Sequence, residues 1–75
     1  MAVPARPKYR KLLGDAIRTA RKIAGVTQEK LAEKADLHPN YIGEVERGEK
    51  TISVDALIRI AGALKVSASD LLAGV

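Results

Sequence analysis

From position 9 the apolar residues fall at Tyr9, Leu12, Leu13, Ala16, Ile17, Ala20, Ile23 and Ala24. This is the spacing of one helical face, and Gly25 ends the run because glycine adopts the left-handed conformation past a helix terminus. Four later stretches share one local grammar. In each, an apolar residue precedes a capping residue and another follows four positions after the cap: Val26 and Thr27 with Leu31, Leu37 and His38 with Ile42, Ile52 and Ser53 with Leu57, Val66 and Ser67 with Leu71. Such a hydrophobic staple fixes the angle at which the chain enters a helix. Three of the caps are Thr or Ser, and Ser67 has Asp70 at the capping-box distance. The fourth helix places Val54, Leu57, Ile60, Ala61 and Leu64 on one face and Ile58 to its side, as ordinary surface or as a partner contact. The fifth, over residues 68–73, is too short to stand alone, so of Leu71 and Leu72 one faces the core and the other a second subunit. The pattern predicts an all-α chain of five helices with no strand.

The stretch 27–47, TQEKLAEKADLHPNYIGEVER, organises the rest. It reads as two short helices joined by a tight turn, a shape whose second helix can be presented to a groove in DNA. Leu31 and Ala35 share a face of the first helix, and Ala32 is small enough for another helix to cross close by. Asp36 occupies the turn, where a positive φ is expected and Asp tolerates it better than most side chains. Pro39, pre-set for a first helical position, restarts the chain after His38. Ile42 and Val45 turn inward; Asn40, Gly43, Glu44 and Arg47 stay on the outer face, and Gly48 terminates the helix.

Seventy-five residues make one small domain, here residues 8–75, preceded by a mobile arm over 1–7 that holds two prolines and no periodicity. Cysteine is absent, so neither disulfides nor thiolate metal sites staple the fold. No apolar run approaches a membrane span and the N-terminus lacks a secretory core, which points to the cytoplasm and away from membranes. The net charge of +4 hides an asymmetry: residues 1–25 carry seven bases against Asp15 alone, whereas residues 26–75 carry six bases against eight acids. A basic field over the arm and first helix suits a polyanion such as double-stranded DNA. One histidine and scattered carboxylates provide no nucleophile with a base beside it and no metal-ligand cluster, and no glycine-rich loop cradles a phosphate. The sequence therefore predicts no enzyme, no cofactor and no small-molecule ligand.

Three segments, IRTARKIAGVTQEKLAEKADLH, NYIGEVERGEK and SVDALIRIAGALKVSASDLL, together resemble the Cro/C1-type (XRE-like) helix-turn-helix regulators from about Leu12 to Leu72. The run VERGEKTISVDAL and the lack of a second domain make the chain similar to stand-alone controller proteins of restriction-modification systems. The resemblance implies a five-helix, lambda-repressor-like domain with its helix-turn-helix at helices 2 and 3. It also implies a transcriptional regulator, repressor or activator, binding a near-palindromic operator as a homodimer. Thr27 and Gln28, at a helix N-terminus suited to phosphate, would meet the DNA backbone. His38, Pro39 and Asn40 would reach base edges, with Tyr41, Gly43, Glu44 and Arg47 further along, and Lys50 and Thr51 would touch the backbone from the loop. Asn40 is suited to pair with N6 and N7 of adenine; Glu44 either accepts from cytosine N4 or repels phosphate. Family members carry an Arg–Glu pair where Arg21 and Glu46 stand, which predicts a structural salt bridge between helices 1 and 3. Ile58, Leu71 and Leu72 are the expected dimer contacts. Pro39 replaces a common Arg or Gln and donates no hydrogen bond, Asp36 replaces a turn glycine, and His38 replaces a Ser or Thr cap. A second reading keeps the fold as a protein-interaction module, antitoxin-like or adaptor, favoured by the acidic balance after residue 25.

Overall fold

A helix begins most readily where a side chain satisfies one of its orphaned N–H groups, and four of the five helices here do so at the expected residue. In the computed structural model, which describes residues 7–75, Thr27 Oγ1 accepts from the Lys30 N–H at 3.0 Å and Ser53 Oγ from the Ala56 N–H at 3.0 Å. Ser67 closes a reciprocal capping box with Asp70. His38 serves as a cap too, with Nδ1 accepting from the Asn40 N–H at 3.1 Å. The helices are α1 (Lys8–Ala24), α2 (Gln28–Ala35), α3 (Pro39–Glu46), α4 (Val54–Leu64) and α5 (Ala68–Leu72), and no strand occurs among the described residues. The expected arm lies outside the described residues except for Pro7, which already belongs to the start of α1: its carbonyl accepts from the Arg10 N–H.

The first four helices end alike. Gly25, Asp36, Gly48 and Lys65 take left-handed φ values of 73°, 55°, 75° and 58°. The next N–H then returns to a carbonyl five residues back: Val26 to Arg21, Leu37 to Ala32, Glu49 to Glu44 and Val66 to Ala61. This is the Schellman closure, which satisfies carbonyls the helix would leave unpaired. Val26, Leu37 and Val66 pack on the core, so each closes one helix and staples the start of the next. Between α3 and α4 the two tasks are split between Glu49 and Ile52, and the chain between them forms a longer connection.

Ile17, Leu31, Ile42 and Ile60 are fully buried, one from each of α1 to α4, with Leu13, Ala32, Val45, Leu57, Leu64 and Leu71 around them. Helix α2 packs on α4 and α1 on α3. The second contact is close. A Cβ at Gly14 would meet the carbonyl oxygens of Val45 and Glu46, the latter at 2.6 Å, so a glycine inside α1 lets the end of α3 come against it. Helix α1 thereby fixes the far end of α3 and leaves the near end free.

Three expectations are corrected. The apolar face of α1 is only partly covered: Tyr9, Leu12 and Ile23 are exposed, and Leu13 and Ile17 carry the contact, because α1 borders the core along a seam narrower than its apolar arc. Val54 is exposed rather than inward, since as the first residue of α4 it precedes the turn that meets α2. Leu71, expected at a dimer contact, is 3% exposed and belongs to the core, while Leu72 is 42% exposed; successive residues of a helix point about 100° apart and α5 has one face to bury.

Candidate nucleic-acid interface

The outer face of α3 is set by what its inner face must do. Ile42 and Val45 are buried, which turns Asn40 and Arg47 outward, with Glu44 half-buried between them. Gln28, at the start of α2, lies across from this face. Gln28, Pro39, Asn40, Gly43, Glu44 and Arg47 line one open concavity. Six residues expected from the sequence are thus brought together, drawn from both helices of the motif. The Asn40 side chain makes no hydrogen bond to another among the described residues, and Asn40 is exposed, as is Pro39.

The floor is held by charge. Glu46, 3% exposed, receives Arg21 Nε at 2.6 Å, Arg21 Nη2 at 3.0 Å and Gln28 Nε2 at 3.0 Å. Arg21 Nη1 donates to the Val26 carbonyl at 3.0 Å. One buried carboxylate thereby ties α1, the α1–α2 turn, the start of α2 and the end of α3 together, and three N–H donors offset its desolvation. The hydrogen bonds that Arg21 donates to Glu46 raise its pKa above the ordinary value, against a smaller desolvation effect. The same bonds orient Gln28: its NH2 group points inward to Glu46, which leaves the amide oxygen toward Gly43.

Other expected residues lie elsewhere. Thr27 and His38 are exposed but spend an acceptor each on their helix caps, so His38 offers only the Nε2 edge of its ring to a ligand. Tyr41 is half-buried, packed on the core, with its hydroxyl 3.5 Å from the Thr51 carbonyl. Lys50 and Thr51 are exposed past Gly48 and share a small cleft with Tyr9 and Arg10 of α1. The start of the basic helix and the loop after α3 therefore meet, and Arg10 and Lys50 flank the same end of α3. Ile58 and Leu72 are exposed, on α4 and α5.

Arg47 is not simply free. Its Nε and Nη2 donate to the two carboxylate oxygens of Glu49 at 2.9 and 3.1 Å, and this bond, with the nearby charges of Glu44 and Glu46, raises its pKa. Glu49 was not singled out from the sequence. Its signal was there: at the other three junctions the residue in its place is apolar.

A family model described as helix-turn-helix matches residues 17–71. The control protein C.SmaI of Serratia marcescens is 41% identical over 63 residues, which cover 84% of this chain and 75% of that protein. Among solved structures, the restriction-modification controller protein C.AhdI of Aeromonas hydrophila superposes with a TM-score of 0.85 at 31% identity, covering 87% of this chain and 98% of that one. The clp gene regulator ClgR of Corynebacterium glutamicum gives 0.85 at 40% identity, with 91% and 88% covered.

Proposed function

The chain belongs to the helix-turn-helix family of DNA-binding transcriptional regulators, proteins that are not enzymes, and from that premise we propose that it acts as a homodimer on a near-palindromic operator, as a controller of a restriction-modification system. The observation that carries the reading is the concavity along α3. Its walls are polar, it is open, and the Asn40 side chain stands in it without a hydrogen-bond partner among the described residues. An α-helix with such a face fits the major groove, where Asn40 pairs with N6 and N7 of adenine. Glu44 then accepts from cytosine N4 or excludes other bases. The backbone N–H of Gln28 at the start of α2, with Thr27, Lys50 and Thr51, flanks the groove and touches phosphates on either side, joined by Arg10 beside Lys50. Pro39 and Gly43 add no donor; they allow close approach.

Two copies must present α3 roughly 34 Å apart to enter successive major grooves. Ile58 and Leu72, exposed on α4 and α5, supply the contact between copies, and Leu71 supports it from the core. The regulator works in the cytoplasm, where its duplex is; no helix among the described residues is long and apolar enough to cross a membrane. The protein-interaction reading has the exposed apolar residues in its favour, and a salt titration divides the two. Affinity for a duplex selected from a randomised pool is expected to fall steeply with salt, with a logarithmic slope of about −0.9 per phosphate contacted. Asn40→Ala is expected to cost roughly tenfold on that duplex and little on random DNA. Failure to enrich any duplex, or equal losses on both DNAs, overturns the base-reading role. Genes for an endonuclease and a methyltransferase beside this one would support the controller assignment, and their absence would leave a general regulator.

A further inference from the structure

We propose that Glu49 is a positioning residue that presents Arg47 to a guanine in each half-site, an inference that rests on the DNA-binding reading above. An arginine on a surface helix ordinarily samples many rotamers, and reading a base requires it to hold one. Here three features fix it. Gly48 takes a left-handed φ of 75° and a Cβ there would lie 3.1 Å from the Lys11 Cα, so the turn after α3 is held against α1. The Glu49 N–H then returns to the Glu44 carbonyl at 2.8 Å, which fixes the Glu49 backbone beside the last turn of the helix. Its carboxylate grips Arg47 along the Nε–Nη2 edge at 2.9 and 3.1 Å.

The grip leaves a particular edge for a ligand. A guanidinium has five N–H groups; the clamp takes the one on Nε and one on Nη2. Both on Nη1 and the second on Nη2 remain, and the pair at the far end, one from each nitrogen, matches the O6 and N7 acceptors of guanine in the major groove. Gly43 makes room for this pose: a Cβ there would sit 3.1 Å from Arg47 Nη1 and 3.4 Å from Gln28 Oε1. The guanidinium therefore lies back over α3 into the concavity that holds Asn40, toward the bases and away from the flanking backbone. The comparison within the chain points the same way. At the three other helix ends of this geometry the residue equivalent to Glu49 is Val26, Leu37 or Val66, packed on the core. Of these four helix ends, only that of α3 gives the place to a carboxylate, and that carboxylate holds an outward arginine. With its charge offset by Glu49, Arg47 contributes more to discrimination than to general attraction for phosphate.

The test selects a duplex from a randomised pool with the wild-type chain, then compares it with copies in which single guanines are replaced by 7-deazaguanine, which lacks the N7 acceptor. One guanine per half-site is expected whose replacement weakens wild-type binding about tenfold, and that penalty is expected to vanish in Arg47→Met, which has no donor, and to shrink severalfold in Glu49→Gln. Binding of Glu49→Gln to random DNA is expected to hold or rise, and its urea midpoint to stay unchanged, which a merely structural role for Glu49 would not produce. A guanine penalty that persists undiminished in Glu49→Gln or in Arg47→Met overturns the inference while leaving DNA binding intact. A site in which no 7-deazaguanine weakens binding does the same. A wild-type chain that enriches no duplex removes the DNA-binding reading itself, and this inference with it.

Discussion

At the scale of single residues, the carboxylate of Glu46 decides more than any other group. It is 3% exposed and holds Arg21 and Gln28. Removing one partner of such a pair leaves an uncompensated buried charge, which costs about 3–5 kcal/mol, whereas replacing both by apolar groups of similar size is often close to neutral. Arg21→Met is therefore expected to lose about 3 kcal/mol, a large part of what a small domain has, and Arg21→Met with Glu46→Leu to recover most of it. Urea unfolding of the two variants measures the difference; a double variant no more stable than the single one would show that α1 and α3 depend on the charges themselves. The pairing of Arg21 with Glu46 came from family resemblance and from the place of each residue on its helix. The part played by Gln28 did not. An amide at a helix start beside the groove reads equally well as a phosphate ligand, and only the tertiary contact shows that half of it is spoken for.

At the scale of elements, the helix ends are the most regular feature of the chain, and their regularity exposes the exceptions. Left-handed backbone costs an L-residue about 1–2 kcal/mol relative to the right-handed form, less in practice for Asp than for Lys. Lys65 takes φ 58° at an exposed position, and its side chain makes no hydrogen bond or ion pair among the described residues. Lys65→Gly is expected to raise stability by about 0.5–1 kcal/mol, the relief of strain exceeding glycine's extra unfolded-state entropy. The urea midpoint reports it, and a drop would mean that the turn between α4 and α5 is set by more than backbone preference. The caps were legible because capping needs only residues three positions apart. So were the staples: all four predicted pairs pack on the core. The left-handed Lys65 was not legible, since lysine carries no preference for that conformation and is forced into it by the docking of α5.

At the scale of the whole molecule, the domain leaves Tyr9, Leu12, Ile23, Val54, Ile58, Leu72 and Val75 exposed. A domain of this size buries only roughly 60% of its unfolded surface, so some exposure is ordinary. Association of two copies is what would turn part of it into stability. Leu72→Asp is expected to shift the protein to monomers in sedimentation and to weaken operator binding at least tenfold, because each half-site alone loses the linked contribution of its twin. An intact dimer in that variant would move the interface to Ile23 and Leu12, which line a groove between α1 and α5. The basic field has a matching geometry. Its helix meets the loop after α3 at Arg10 and Lys50, so one base of the basic first third of the chain comes to lie beside the end of α3.

The amino-acid sequence by itself determined five helices, the capping residues at which the last four start, the glycine stops after α1 and α3, the outward placing of Asn40 and Arg47, and the family to which that pattern belongs. These depend on periodicity, capping and turn chemistry, all of which act within a few residues. The tertiary structure alone decided which apolar residues of α1 are covered, that Gly14 is the point where α1 and α3 touch, that Leu71 goes inward and Leu72 outward, and that Glu49 holds Arg47. Each of those outcomes depends on where a sequence-distant element comes to rest, and that position is fixed by the packing of all five helices at once.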